Sequence, residues 1–295
     1  MILVIGATGR LGSEICRRLT AAGKPVRALV RATSDQAKVD ALKSHGVELA
    51  QGNLRDRASL DAACRGVEAV ISTVSAMPAS YDPVGNNIQN VDIEGVSSLI
   101  AAARAAGVGR FVYTSFTGGI DLDFPLRNAK RTVEGRLKES GLTYTILRPS
   151  YFMESWLGPM VGFDYPNAKA QIYGQGENPI SWISVGDVAQ FAAESLDNPA
   201  ARNATLELGG PEALSPRQVV HIFEEIGGRP FEVAYVPVEA LQEQRKAAPD
   251  GMQASFVALM LCYAQGDAID MRSTLKAFPL KLKSVEDYAR GVYAA

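Results

Sequence analysis

An apolar run, Ile2–Ile5, passes without a break into Gly6-Ala7-Thr8-Gly9-Arg10-Leu11-Gly12 and then into the spacing Leu11, Ile15, Leu19. Consecutive apolar residues suit a strand buried on both faces, and positions four apart stack on one face of a helix. A chain that must pass from strand to helix this quickly has few ways to turn. Glycine tolerates positive φ, which suits a tight turn at Gly6. Missing side chains also let backbone amides approach an anion, and the helix N-terminus beyond adds a favourable field. Gly12 allows the helix to pack closely on the strand. The spacing is G-x-x-G-x-x-G and not the commoner G-x-G-x-x-G, but a strand before and a helix after are the context that gives such a loop its meaning. The opening therefore predicts a pyrophosphate cradle made by Gly6, Thr8, Gly9, Arg10, Leu11 and Gly12.

The same alternation continues. Apolar β-rich runs stand at Ile2–Ile5, Val26–Val30, Val47–Ala50, Ala69–Thr73, Phe111–Thr114 and Tyr144–Leu147. Helical spacings lie between them, as at Val96, Leu99, Ile100, Ala103 and at Val133, Leu137. Near-continuous apolar strands alternating with helices predict an α/β fold with a doubly wound parallel sheet, covered on both faces. The second half is less regular. Helices are expected at Val185–Leu196, Pro216–Ile226, Val238–Lys246, Met252–Ala264 and Val285–Tyr293, and short strands at Gln171–Tyr173 and Thr205–Leu208. The expected organisation is a nucleotide-binding core over residues 1–150 and a smaller α+β substrate lobe over 151–295, with segments around 180–210 returning to the core.

The second strand run indicates which dinucleotide is bound. NAD binders place a carboxylate at its end, for the ribose 2′-hydroxyl. Here the run ends in Arg31, and the first acid is Asp35. A guanidinium grips a 2′-phosphate that an acid would repel, so NADP(H) is expected over NAD(H). Lys38 either assists or faces water. Ligands sit at the carboxyl ends of such strands. That places Asn53 and Leu54 near the adenine, Thr73, Val74 and Ser75 near the ribose, Ser115 near the nicotinamide, and Pro149, Tyr151 and Phe152 at the sixth strand's end.

Composition narrows the chemistry. The 30 basic and 32 acidic residues nearly cancel, with no long basic run, so nucleic acid is not an expected partner. No apolar stretch reaches the roughly 18 residues that span a bilayer, and Met1–Ile5 is too short for a secretory leader. Three scattered cysteines, Cys16, Cys64 and Cys262, argue against a disulfide framework and for a cytoplasmic location. With only two histidines, His45 and His221, a metal site or a His-based triad is not expected. Asp187, at the start of a helix, reads as a cap. The chemistry is expected to come from the bound cofactor.

The Gly6–Gly12 loop, Arg110-Phe111-Val112-Tyr113-Thr114-Ser115, Lys130 with Val133-Glu134, the stretch from Ser140 to Pro149 followed by Phe152-Met153-Glu154, and Ile183-Ser184-Val185-Gly186-Asp187-Val188-Ala189 together resemble the NmrA-like family of atypical short-chain dehydrogenases/reductases. The resemblance covers most of the chain and is weakest after about residue 235. It implies a Rossmann core and NADPH-dependent reduction of quinones, aromatic dyes or phenylpropanoid ethers; some members of that family bind NADP and regulate partners without evident turnover. It also implies a role for Lys130 at the cofactor, and in proton donation. The Tyr-x-x-x-Lys pair of typical short-chain reductases is broken, because Leu126 stands four residues before Lys130. Reducing a simple ketone needs a well-placed acid. The loss of that acid points to acceptors that need little proton assistance: quinones, cationic dyes or other electron-poor aromatic or enone systems. Tyr81, Tyr113 and Tyr151 are the alternative acids; Tyr113 lies in a buried-looking strand, where core packing is its role, and Tyr81, in the loop after the fourth strand, is the better candidate.

Phe116, Met153, Trp156 and Phe163, with Tyr151 and Phe152, suit a flat aromatic or quinone-like substrate. Asn86, in an expected lid over Met77–Asn87, either meets that substrate or caps the next helix. The competing readings are a non-catalytic NADP-binding redox sensor or regulatory scaffold, and a sugar-nucleotide epimerase or dehydratase, which the missing tyrosine disfavours. Oligomeric state stays open, with a homodimer as one alternative.

Overall fold

The computed structural model describes residues 1–77, 82–119 and 121–294. The first strand, β1 (Ile2–Ile5), leads through the glycine turn to α1 (Arg10–Ala21), as the sequence predicts. There follow β2 (Val26–Val30), α2 (Gln36–Ser44), β3 (Glu48–Gln51), α3 (Arg57–Ala63) and β4 (Ala69–Ser72). Asp35 and Asp56 cap α2 and α3 with their carboxylates. A π-helix (Ile88–Gly95) then runs straight into α4 (Val96–Ala105). After it come β5 (Arg110–Thr114), α5 (Pro125–Glu139) and β6 (Tyr144–Pro149).

These strands form one seven-stranded sheet in the order β3-β2-β1-β4-β5-β6-β9, where β9 is Ala204–Leu208. Every pair from β3 to β6 is parallel. The order reverses between β1 and β4, and such a switch point is where doubly wound sheets bind ligands. The third strand begins one residue later than expected. The Val47 amide bonds back to Leu42, closing the exit of α2 at Gly46 (φ 76°), so Val47 belongs to that turn.

The chain groups into two compact units. The first holds Met1–Ser115, Pro125–Leu147 and Val188–Leu206; the second holds Phe116–Phe124, Arg148–Asp187 and the chain from Glu207 onward. The core of the first unit packs Leu3, Ile5, Val70, Phe111 and Ile146 of the sheet against Leu60, Val96, Leu99, Val133 and Leu137 of the helices.

The second unit carries a three-stranded sheet, β10-β8-β7. Here β7 (Phe163–Asp164) is antiparallel to β8 (Lys169–Tyr173), and β10 (Glu232–Val236) is parallel to it. Its helices include α6 (Met153–Trp156), α8 (Pro216–Gly227), α9 (Val238–Lys246), α10 (Gly251–Gln265), α11 (Arg272–Ala277) and α12 (Val285–Ala294), while α7 spans Val185–Glu194. A capping box of Ser215 and Gln218 starts α8. At α7 the cap is Ser184, whose hydroxyl accepts the Asp187 amide; the Asp187 carboxylate instead accepts the Lys283 amide. Among the described residues no helix is long and apolar enough to cross a membrane.

Candidate functional site

The carboxyl ends of β1 and β4 meet at the glycine turn. Gly6 has φ 82°, and a Cβ there would stand 2.6 Å from Thr73 Oγ1, so the turn lies directly against the exit of β4. A Cβ on Gly12 would stand 2.2 Å from the Gly6 carbonyl oxygen, which fixes how closely α1 sits on the loop. Gly9 occupies the N-cap of α1 and supplies no side-chain hydrogen bond to the first turn. Uncapped amides at a helix start are the donors a phosphate needs. Arg31, just past β2, is exposed, and among the described residues its guanidinium has no ion pair. The Asp35 carboxylate is spent on the amide of Lys38. No acid therefore competes with a 2′-phosphate through Arg31. Lys38 is exposed on α2.

Lys130 is neither solvated nor on the outer face of α5. It is 5% exposed, and its Nζ donates to the Val74 carbonyl at 2.8 Å, one residue beyond Thr73. The same Nζ lies 3.1 Å from Asp92 Oδ1 and 5.3 Å from the centre of the Tyr113 ring. Burial alone pushes the ammonium pKa down, but Tyr113 and Asp92 outweigh it and leave the pKa above its ordinary value. Burial pushes the Tyr113 phenol up to about 12. Leu126, one turn before Lys130, is buried and offers no hydroxyl. The Ser115 hydroxyl is turned into α5, where it donates to Glu134 Oε1 at 2.5 Å, and Arg131 holds the same oxygen at 2.6 Å.

Other expected cofactor contacts are partly committed elsewhere. Asn53 Oδ1 accepts the Arg55 amide, and Leu54 packs beside Gly95 of the π-helix. Asn86 pairs its backbone with Asp82 in both directions, while Asn87 caps the π-helix through the Asn90 amide. Tyr81 lies outside the described residues, as do Pro78–Ser80 of the expected lid.

In the second unit, Pro149 ends β6, and the next amide, Ser150, donates to Leu208. Phe152 bridges to Ile183. Tyr151 is buried; its hydroxyl donates to the Leu259 carbonyl, and its ring packs edge-on to Trp156, Trp182 and Tyr263. Trp156 stacks on Tyr263 at 5.6 Å. Met153 is fully buried at the start of α6. Phe116 meets Phe124 edge-on. Phe163 belongs to a different cluster, with Phe223 and Phe231. The aromatic residues expected to line one pocket are thus distributed over more than one cluster.

Sequence reasoning missed Asp92 and Asp267. Asp92 stands four residues before Val96 and seven before Leu99, on the stripe that α4 buries, and an acid on an apolar stripe is a usable signal. Asp267 gives no such signal, because its partners, Thr117 (3.0 Å) and Ser150 (2.6 Å), lie far away in sequence. Cys16 is buried in α1, where burial pushes its thiol up to about 12, so it is packing material. Among the described residues no cluster of His, Cys, Asp or Glu is placed to hold a metal ion.

The reversed strand order and the glycine turn set at the switch point are those of a Rossmann sheet. The chain belongs to the NmrA-like family, whose model matches residues 1–289. It is 34% identical over 258 residues to an NAD(P)H azoreductase of Xenophilus azovorans, covering 85% of this chain and 81% of the relative. It is 30% identical over 244 residues to the photosystem II assembly factor Ycf39 of Trieres chinensis, covering 82% and 73%. The fold is also that of an NADPH-dependent quinone oxidoreductase from Escherichia coli, complexed with NADPH, at a TM-score of 0.79 and 24% identity over 99% of this chain and 100% of the other.

Proposed function

We propose that the chain is an NADPH-dependent reductase that delivers hydride to a quinone or a similarly electron-poor aromatic or enone acceptor. The observation that carries this is the pairing of Lys130 with the β4 exit on a helix whose preceding turn bears Leu126 where a tyrosine acid would stand. NADPH, when bound, supplies the hydride. The chain's own part is to hold it. The Gly6–Gly12 turn offers its amides to the pyrophosphate, with Thr8, Arg10 and Leu11 around it, and Arg31 takes the 2′-phosphate. Thr73, Val74 and Ser75 border the ribose, where Lys130 adds a fixed positive charge. Asn53 and Leu54 border the adenine.

Among the described residues, the Tyr113 phenol that faces Lys130 is buried in the sheet and is not an acid poised for a ketone oxygen. Azo and quinone acceptors tolerate a missing acid, and relatives named for both chemistries support the choice. An NADPH-oxidation screen over quinones, azo dyes, enones and simple ketones tests it. Turnover of the electron-poor acceptors and not the ketones is expected; good ketone turnover with quinones ignored overturns it.

A second reading, a non-catalytic NADP-binding scaffold, is favoured by the relative named as an assembly factor. Tight NADPH binding with no turnover across the whole panel would move the conclusion to it.

A further inference from the structure

Asp92 is wholly buried, with one oxygen hydrogen-bonded and the other held, among the described residues, by an ion pair alone. Its Oδ2 accepts the Ala76 amide at 2.9 Å, and its Oδ1 lies 3.1 Å from Lys130 Nζ. The turn that carries it is a π-helix, Ile88–Gly95, inserted ahead of an ordinary α-helix. Such turns are rare and concentrate at functional positions. Among the described residues, the titratable groups facing Lys130 Nζ are Asp92 from the π-helix and Tyr113 from β5; on its own helix, Glu134 is committed to Ser115 and Arg131. An ammonium has three N–H donors. One goes to Val74, and Asp92 Oδ1 meets the ammonium at 3.1 Å as an ion pair without a hydrogen bond.

We propose that Asp92 is a positioning residue for NADPH: by pairing with Lys130 while tied to the Ala76 amide, it holds a charged ammonium at the exit of β4 with a donor left for the cofactor ribose. This rests on the reading of the chain as an NADPH-binding reductase. A lysine this deeply buried favours its neutral form unless an anion faces it. A neutral amine would lose both the charge and the geometry that a ribose oxygen needs. Asp92 supplies the anion, and its second oxygen fixes it to the segment that follows Val74.

The test uses Asp92→Asn, which keeps the shape and an acceptor for Ala76 but removes the charge. NADPH affinity is measured by nucleotide fluorescence between about pH 6.5 and 9.5. Wild-type affinity should change by no more than about threefold, while the variant should weaken by about tenfold or more as its lysine deprotonates. In a Lys130→Met background, Asp92→Asn should cost nothing further, because Asp92 acts through the lysine. That double variant also buries no unpaired charge, so it is available if the single one does not fold. On wild-type protein, NMR of the lysine Cε signals should show Lys130 still protonated at about pH 10.

A flat pH response in Asp92→Asn, a loss that persists without Lys130, or a wild-type Lys130 that titrates below about pH 9 overturns the proposal. Wild-type protein that binds no NADPH overturns the reading beneath it instead.

Discussion

In the proposed function, two single residues would decide how the cofactor is held. Arg31 would carry the choice of NADP over NAD, because its guanidinium is exposed and the nearby Asp35 carboxylate accepts the Lys38 amide. Arg31→Ala removes a charge-assisted contact of about 1.5–3 kcal/mol, so NADPH should bind roughly ten- to a hundredfold more weakly. NADH affinity should stay within about threefold, since NADH has no 2′-phosphate to lose. Equal losses for both nucleotides would take Arg31 out of the site. Gly12 acts through space, not charge. A methyl there meets backbone atoms of Gly6 and Ala7 at 2.2–2.9 Å, and backbone cannot step aside as a flexible side chain can. Gly12→Ala should cost about 1–3 kcal/mol in stability and displace α1 from the phosphate, measured as a lower Tm together with lost NADPH binding. The places of both residues in the fold were legible in the sequence, because a glycine turn and a strand-end charge are local patterns. The burial of Lys130 was not. Its helix neighbours Arg127 and Arg131 suggest a solvated face, and only the π-helix brings an anion to it from 38 positions earlier in the chain.

At the level of elements, the first six strands were readable as short apolar β-rich runs, continuously buried in β1, β4 and β5 and half-exposed in β3, and α1, α4 and α5 from their apolar periods. Helix α9 matches its expected span, Val238–Lys246. What escaped had no period to read. The strand β10, Glu-Val-Ala-Tyr-Val, is half exposed at the edge of a three-stranded sheet. The two residues of β7 are too few, and a π-helix does not follow the 3.6 spacing. The tie between Thr117, Ser150 and Asp267 was equally invisible, and it carries a pH signature. Burial raises the Asp267 pKa above the ordinary carboxyl range, although both hydroxyls pull it down. An acid whose folded pKa is raised stabilises the fold below its unfolded pKa, and that contribution is lost as pH rises through the folded value. Asp267→Asn has no such titration. The stability of wild type relative to Asp267→Asn should therefore fall as pH is raised from about 4 to 8, read from paired denaturant melts. A difference that grows with pH would mean that the carboxylate is better held than its burial suggests.

For the whole molecule, the question is how cofactor binding is felt by folding. The proposed phosphate, ribose and adenine contacts all lie in the first unit. A ligand that binds only the folded state stabilises it by about 2.7 kcal/mol at a hundredfold excess over Kd. For a chain of this size, each kcal/mol moves Tm by roughly 2–4 °C, so saturating NADPH should raise the melting transition by about 5–10 °C. NADH at the same concentration should raise it less, because it lacks the 2′-phosphate that Arg31 would hold. In Arg31→Ala the two nucleotides should give nearly equal shifts. If calorimetry resolves two transitions, the transition of the first unit should move and the other should stay in place, since mass action reaches only the body that holds the ligand. An NADPH shift confined to the transition of the second unit would relocate the cofactor, and with it the assignment of Gly6–Gly12, Arg31 and Lys130.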